Sequence, residues 1–126
     1  MLVRRAGLVH DLGRLGVPNT IWDKPGTLSV AERERMQLYP YLTDRILRHG
    51  SLAQLADIAS QTQERLDGSG YPRGLAGQAI LPGARVLAAA HVYQSLREPR
   101  PHRSAFDDDV AARHLRDEVR DGRLDA

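Results

Sequence analysis

The sequence of 126 residues contains no cysteine, which excludes disulfide bonds and metal sites built from thiolates. It is also nearly without lysine, because Lys24 is the single lysine among eighteen basic residues. Sixteen acidic residues almost balance these and leave a net charge of +2. A balanced charge provides no basic face, so we predict no direct contact between this chain and nucleic acid.

Long apolar runs are missing as well. The longest uninterrupted run, residues 86–90, is far shorter than the roughly 20 residues that a helix needs to cross a bilayer. The first residues are not followed by an apolar signal region with a cleavage site. By elimination, the sequence predicts a cytoplasmic protein that does not contact a membrane.

The length and a hydrophobic content of 41% indicate a single folded domain over residues 1–126. The apolar stripe of the first helix is already running at Leu2 without an N-cap, and residues 121–126 resemble a connection into a further helix. We therefore expect a fragment of a longer protein, lacking flanking helices at both ends.

No segment alternates in the manner of a β-strand, so the predicted fold is all-α, a bundle of about five or six helices without a sheet. Ser29 and Glu32 form a capping-box pattern at the start of one helix. Residues 86–90 are apolar on almost all sides and predict a central buried helix. The predicted helices cover residues 2–12, residues 30–38, a segment restarted at Pro40 that ends at Gly50, residues 52–66, a segment opened by Pro82, and residues 110–121.

Two motifs carry a family resemblance. His10-Asp11-Leu12-Gly13 resembles the signature of HD-domain phosphohydrolases, and residues 64–75, which include the glycine-rich loop Gly70-Tyr71-Pro72, resemble the namesake segment of the HD-GYP subfamily. Three further segments, residues 24–26, 82–85 and 100–103, follow in the order of the family. The chain is identified as similar to HD-GYP proteins over nearly its whole length.

The resemblance implies an HD-type helical bundle that holds two or three metal ions, commonly iron or manganese, and that hydrolyses cyclic dinucleotides, chiefly cyclic di-GMP. Clustered histidine and aspartate suit such metals, and neighbouring metal ions can activate water and stabilise a leaving oxygen. The resemblance also places Asp11 and Arg14 at catalytic positions, with Arg14 standing where the family has a lysine.

Several family ligands are replaced in this chain. Tyrosine, threonine and glutamine stand at three histidine positions, and neither acidic position of the central helix is kept. The replacing residues are Tyr39, Thr62, Gln63, His91 and Gln94. The candidate metal ligands that remain are His10, Asp11 and His91, and we expect this remnant to hold no metal or other cofactor. If it holds one, the resemblance implies a divalent ion such as iron or manganese.

Each candidate has an alternative interpretation. His10 and Asp11 can serve as hydrogen-bonding residues at a helix C-terminus, where histidine is electrostatically favoured, and His91 can be a core histidine with its polar atoms satisfied. The candidate ligand-binding residues are Gly70, Tyr71, Pro72, Arg100 and Arg103. The loop residues among them can instead form tight turns closed by a packed tyrosine, and the two arginines can pair with residues 107–109.

The predicted function is that of a degenerate HD-GYP-like domain, an inactive pseudo-enzyme acting as a regulatory, ligand-binding or protein-interaction module in bacterial cyclic dinucleotide signalling. The alternatives are an active metal-dependent phosphodiesterase with a reduced site, and a sensor that binds a cyclic dinucleotide without hydrolysis. The expected partners are a cyclic dinucleotide, a neighbouring domain or partner protein such as a helix-turn-helix regulator, and a second copy of the chain. The regulator is expected because residues 98–103 and 122–125 resemble HD modules of actinobacterial regulators that carry a LuxR-type helix-turn-helix.

Overall fold

The computed structural model describes residues 2–99 and 103–126. These residues form seven α-helical segments, six of which have five residues or more, and they contain no strand. The helices are α1 Leu2–Val9, α2 Asn19–Trp22, α3 Val30–Gln37, α4 Tyr39–Arg48, α5 Ala56–Ser60, α6 Pro82–Arg97 and α7 Asp108–Arg120. Three 3-10 turns lie at Leu12–Gly16, Ala53–Leu55 and Gly77–Ala79. The all-α prediction is confirmed.

The local signals at α3 and α4 are confirmed in detail. The Ser29 hydroxyl accepts a hydrogen bond from the Glu32 backbone N–H at 3.1 Å, and the Glu32 carboxylate accepts one from the Ser29 N–H at 2.9 Å. This reciprocal pair satisfies two of the N–H groups that a helix start leaves without partners. Pro40 lies in the first turn of α4, where its missing N–H costs nothing, so it restarts the helix there.

Two predicted helices are wrong in extent. The helix predicted over residues 52–66 is helical only to Ser60, because the side chains beyond it bond to other parts of the chain. The side-chain carbonyl of Gln61 accepts a hydrogen bond from the Leu81 N–H. The Glu64 carboxylate accepts hydrogen bonds from the N–H groups of Arg73 and Leu75 in the following loop. The first predicted helix similarly gives way after Val9 to a turn.

The prediction that α6 is the central buried helix is also wrong. Val86, in the middle of its apolar run, is 63% exposed, and the buried residues of α6 are Ala84, Leu87 and Ala88. The helix packs one side against α1, α5 and α7. Ala89 and Ala90 of the same run are not buried, and because they are small, their exposure has a low free-energy cost.

The core consists of two clusters of buried residues. One joins α1, α4, α5 and α6 through the buried residues Ala6, Leu47, Leu55, Ala56, Ala59 and Leu87. The other is formed by Val17, Ile21 and Tyr39, with Trp22, Met36 and Tyr71 packed against it.

The first 3-10 turn sits closely on α4. A Cβ at Gly13 would overlap the Tyr39 carbonyl and the Thr43 backbone, so a glycine is needed for this approach. The Thr43 hydroxyl accepts from the Gly13 N–H at 2.8 Å and has the carbonyls of His10 and Tyr39 at 3.0 and 3.1 Å. The segment carrying His10, Asp11 and Arg14 is therefore fixed to α4.

Candidate functional site

His10, Asp11 and His91 come together where the end of α1 meets α6. His10 Nε2 lies 2.9 Å from His91 Nδ1 and 3.3 Å from the nearer Asp11 carboxylate oxygen, Oδ1. The donor atoms of all three side chains lie within 4.8 Å of one another. The remnant set predicted from the sequence thus forms a single cluster, although His91 is 81 residues from His10 in the chain.

The hydrogen bonds of the cluster determine which ring nitrogen of neutral His10 carries the proton. Its Nδ1–H donates to the Gly7 carbonyl at 2.6 Å, so in the neutral ring the lone pair is on Nε2, facing His91 and Asp11. Asp11 Oδ1 is shielded from solvent and accepts no hydrogen bond from the described residues. A backbone carbonyl holding the far nitrogen of a histidine is the usual support of a metal-binding imidazole.

Burial and the neighbouring His10 lower the pKa of His91 to about 4, because both disfavour its charged form. His91 is therefore neutral at pH 7, with a ring nitrogen available as a ligand. Two imidazoles and a carboxylate suit one divalent transition metal, and the donors present fit one ion. They do not provide the ligands of a two-metal centre.

Two of the residues that stand where the resemblance implies histidine ligands are hydrogen-bonded to each other. The Gln63 side-chain N–H donates to the Tyr39 hydroxyl at 2.7 Å, and both residues are buried. Burial raises the pKa of Tyr39 above its usual range, which opposes the phenolate form that a tyrosine ligand needs. Thr62 is fully buried, with its hydroxyl 3.4 Å from the Ala59 carbonyl. These three positions therefore hold neutral side chains whose polar groups lie within hydrogen-bond distance of other residues.

Two cavities open on either side of Arg14. The first, of about 320 Å³, is lined by Arg14, Trp22, Lys24, Tyr39, Gln63 and Tyr71 among others. The second, of about 350 Å³, is lined by the cluster of His10, Asp11 and His91 together with Arg14, Gln94 and Ser95. Arg14, His91 and Ser95 line both cavities, so the two spaces share a wall. Each volume lies in the range of small-molecule sites.

Arg14, predicted at a catalytic position, stacks over the ring of Trp22, with its guanidinium carbon 4.2 Å from the ring centroid. Its nearest guanidinium nitrogen is 3.8 Å from the second Asp11 oxygen, which is too long for a hydrogen bond. The guanidinium is thus oriented by a cation–π contact, and Arg14 lines both cavities. Trp22 in turn meets Tyr39 edge to face at 5.7 Å.

The glycine-rich loop is held against the same wall. The Tyr71 N–H donates to the Gln63 carbonyl at 3.1 Å, and the Tyr71–Pro72 peptide bond is cis. A Cβ at Gly70 would overlap the Gln63 carbonyl and the Arg65 N–H, so this approach requires glycine. Tyr71 lines the first cavity, whereas Gly70 and Pro72 shape the loop that places it.

Of the two arginines predicted to bind ligand, Arg103 lies within the described residues. The Arg103 guanidinium stacks on Phe106 at 4.6 Å and donates to the backbone carbonyls of Ser95, Glu98 and Ser104 at 3.1 to 3.4 Å. It connects the end of α6 to the start of the following segment. Arg100 lies outside the described residues.

Sequence reasoning missed three residues of the site. Trp22 supports Arg14, Thr43 fixes the His10 segment, and Glu64 holds the glycine-rich loop through the N–H groups of Arg73 and Leu75, both at 2.9 Å. Glu64 could have been found from its position directly before the glycine-rich loop. A charged residue is rarely buried without partners, and the N–H groups of that loop are close enough in the chain to serve as partners. Trp22 and Thr43 gave no local signal, because their contacts are made in the tertiary fold.

Comparison with known proteins identifies the family of this chain. The family model described as "HD domain" matches residues 2–126. The chain is 42% identical over 110 residues to the 3'3'-cGAMP-specific phosphodiesterase 3 of Vibrio cholerae, covering 86% of the chain and 24% of that protein. It is 42% identical over 123 residues to the 3'3'-cGAMP-specific phosphodiesterase 1 of the same organism, covering 95% of the chain and 28% of the relative.

A further relative is the cyclic di-GMP phosphodiesterase response regulator RpfG of Xanthomonas campestris. The identity is 34% over 122 residues, covering 90% of the chain and 31% of the relative. The chain therefore spans between 24% and 31% of the length of these three relatives.

Proposed function

The chain belongs to the HD domain family, as its HD-GYP-like motifs predicted, and from this premise we propose that it is a cyclic-dinucleotide-binding module of a signalling protein that does not hydrolyse its ligand by a two-metal route. The class of ligand is inferred from the relatives, which are named as cyclic di-GMP or 3'3'-cGAMP phosphodiesterases. The proposal that the ligand is not hydrolysed is inferred from the residues of this chain.

The hydrogen bond between Tyr39 and Gln63 carries the proposal. These residues occupy two positions where the HD-GYP resemblance implies histidine ligands. The Gln63 side-chain N–H donates a hydrogen bond to the Tyr39 hydroxyl at 2.7 Å. A neutral phenol and a neutral amide are poor ligands for a divalent cation. Both side chains line the first cavity, so these two positions contribute to its polar wall.

The ligand's chemistry matches the two cavities. A cyclic dinucleotide has two aromatic bases joined by two phosphodiesters. Aromatic rings of Trp22 and Tyr71 line the first cavity, and the Arg14 guanidinium lies on the wall shared with the second. An arginine held by stacking presents donors suited to a phosphodiester. We place one nucleotide in each cavity, with a phosphodiester against Arg14.

A second candidate function is hydrolysis at a reduced site, which the clustering of His10, Asp11 and His91 favours. These residues would hold a single divalent ion, which when bound supplies a Lewis acid and an activated water. Asp11 and His10 would orient that ion, and Arg14 would neutralise the phosphodiester. Stoichiometric release of linear dinucleotide by the metal-loaded chain would support this candidate.

The binding test uses the single tryptophan of the chain. Because Trp22 lines the first cavity, cyclic di-GMP and 3'3'-cGAMP should each change its fluorescence, and calorimetry should give one site per chain for at least one of them. We expect Arg14→Ala to weaken binding at least tenfold. Arg113→Ala, at an exposed position of α7, is the matched control and should bind as the unchanged protein does. Flat titrations with both ligands would overturn the proposal.

A module that only binds a ligand needs a second domain or protein that responds to the binding. We propose a neighbouring domain, a helix-turn-helix regulator or a second copy of the chain as the receiver. Light scattering with and without cyclic di-GMP tests the last of these, since ligand-dependent dimers would appear as a doubled mass.

A further inference from the structure

We propose that residues 122–125, which follow α7, act as a clasp that holds the base of the glycine-rich loop and thereby controls the position of Tyr71 in the wall of the first cavity. None of these four residues lines either of the two cavities, so the clasp acts from outside the site. The inference concerns the order of the loop and holds whether or not a ligand binds. Its consequence for affinity, which is given last, rests on the proposed function.

The clasp is bonded to the chain at the point where the loop begins. The Leu66 N–H donates to the Arg123 carbonyl at 2.9 Å, and the Leu66 carbonyl accepts from the Gly77 N–H at 3.0 Å. Next to these bonds, Asp67 and Ala76 form an antiparallel bridge that brings the two ends of the loop together. Leu66 therefore connects the clasp to both ends of the loop.

Leu124 packs the clasp against the interior. Its side chain is 4% exposed, and the space beside it, which Glu64, Ile80 and Ala88 also line, measures only about 10 Å³. That volume is at the lower limit of what one water molecule needs, so the contact is closely packed. Glu64 is the residue whose carboxylate accepts the hydrogen bonds of the loop. The buried leucine of the clasp thus lies beside the carboxylate that holds the loop.

Two ion pairs fix the clasp to the helices on either side of it. The Arg123 guanidinium donates to both carboxylate oxygens of Glu118 in α7, at 2.7 and 2.9 Å. Paired hydrogen bonds of this kind fix orientation as well as adding stability. Arg85 of α6 donates to the Asp125 carboxylate and to the Ile80 carbonyl, both at 3.2 Å. The clasp is therefore anchored to α6 and α7 as well as to the loop base.

Three residues separate the loop base from the wall of the first cavity. Gln63 lines that cavity, and its backbone carbonyl accepts from the Tyr71 N–H at 3.1 Å. Residues 63–66 belong to no helix, so their position depends on tertiary bonds such as the one from Leu66 to Arg123. Segments held in this way open as small cooperative units while the rest of the molecule stays folded. Release of the clasp should therefore loosen the loop and Tyr71 with it.

The test is hydrogen exchange measured residue by residue by NMR on the full chain. In Leu124→Ala, the bonded loop amides should exchange at least about tenfold faster, because the clasp loses its buried side chain. Leu55→Ala removes an equally buried leucine from the other side of the core and should speed exchange in α4 without speeding the loop. The reporting loop amides are those of Tyr71, Arg73 and Leu75. Unchanged loop exchange in Leu124→Ala, or equal acceleration by both substitutions, would overturn the inference.

A second pair of variants covers the case in which Leu124→Ala fails to fold. Arg123→Ala removes the paired bonds to Glu118 from a side chain that is 36% exposed, and loop exchange should rise by about three- to fivefold. Arg120→Ala is the matched control, because its side chain is 73% exposed and its ion pairs, to Asp117 and Asp121, are not made to the loop base. Equal loop exchange in these two variants would contradict the clasp.

The consequence for affinity rests on the proposed function. If the ordered loop forms part of a dinucleotide site, Arg123→Ala should weaken binding of cyclic di-GMP and Arg120→Ala should not. By reciprocity, saturating cyclic di-GMP should slow exchange of the Leu66 N–H, which lies outside both cavities. Binding without either effect would contradict the coupling. Absence of binding to the unchanged protein would refute the proposed function, and the exchange results without ligand would then decide the clasp.

Discussion

At the scale of single residues, Thr43 helps to position the site although it lines neither of the two cavities described above. Its side chain is fully buried and joins the 3-10 turn to α4 through the Gly13 N–H and the carbonyls of His10 and Tyr39. One hydroxyl thus links the backbone of the histidine cluster to the backbone of Tyr39.

The change Thr43→Val keeps the shape of the side chain and removes its hydroxyl. The Gly13 N–H then loses its acceptor inside the core, which costs about 2 kcal/mol of unfolding free energy. Urea denaturation measures this loss. Thr20→Val, at an exposed position of α2, should change stability by less than about 0.5 kcal/mol. Equal stability of the two variants would contradict the role given to Thr43.

Tyr39→Phe tests the pair that carries the proposed function. Removing the hydroxyl leaves the buried Gln63 amide without its acceptor at 2.7 Å, and we expect destabilisation by about 1 to 2 kcal/mol. Tyr41→Phe is the matched control, because Tyr41 is 42% exposed and its hydroxyl meets only Arg45 among the described residues. A similar loss in both variants would show that the buried pair contributes nothing particular.

The sequence predicted part of this site and not the rest. His10 and Asp11 were found through a motif, and His91 through its place in the family order, but their approach to within 4.8 Å is a tertiary result. The bond between Tyr39 and Gln63 joins residues 24 apart, and no local pattern encodes it. Each was predicted as a replaced ligand, and the structure adds that the two replacements satisfy each other.

At the scale of elements, the glycine-rich loop depends on one carboxylate. Glu64 is 2% exposed, and its two oxygens accept from the N–H groups of Arg73 and Leu75. In Glu64→Gln, an N–H group replaces one acceptor and faces a backbone donor. We expect faster hydrogen exchange across residues 67–76 and weaker dinucleotide binding. Glu34→Gln, at an exposed position of α3, should leave both unchanged, and unaltered exchange in Glu64→Gln would contradict this role.

The capping box of α3 gives a prediction about pH. Hydrogen bonds from Lys24 and Ser29 lower the pKa of Glu32 from 4.5 to about 2. The stabilising contribution of its charge is therefore complete above pH 4.5 and is lost as the pH falls towards 2. Glu32→Gln keeps a capping oxygen and lacks the charge. The stability difference between the two proteins should be present at pH 6 and vanish near pH 2 in urea denaturation, and a constant difference would contradict it.

The elements also show which sequence signals are reliable. The capping box and the proline in the first turn of α4 act within one turn of helix, and both were predicted correctly. The early end of α5 was not predicted, because the Gln61 side chain bonds to a residue 20 positions away and the Glu64 side chain bonds to residues 9 and 11 positions away. The exposure of α6 depends on which neighbours pack against it, which hydrophobic composition alone does not determine.

At the scale of the whole molecule, the site lies where two packing clusters meet. The histidine cluster lies at the end of α1, which belongs to one cluster, and Tyr39, Trp22 and Tyr71 belong to the other. Arg14 lies between them and lines both cavities. No helix in residues 2–99 and 103–126 is long and apolar enough to cross a membrane. The helical fold surrounds a site in which Tyr39 and Gln63, hydrogen-bonded to each other, form part of the wall of the first cavity.

The most direct test of this account is a single-turnover assay with the manganese-loaded chain in excess over labelled cyclic di-GMP, repeated with 3'3'-cGAMP. The products are separated by chromatography, and the bound fraction is measured in parallel. The account predicts that ligand is bound and recovered intact, because the residues that would hold a second ion are Tyr39, Thr62 and Gln63. Linear dinucleotide or mononucleotide formed in proportion to the protein would contradict it.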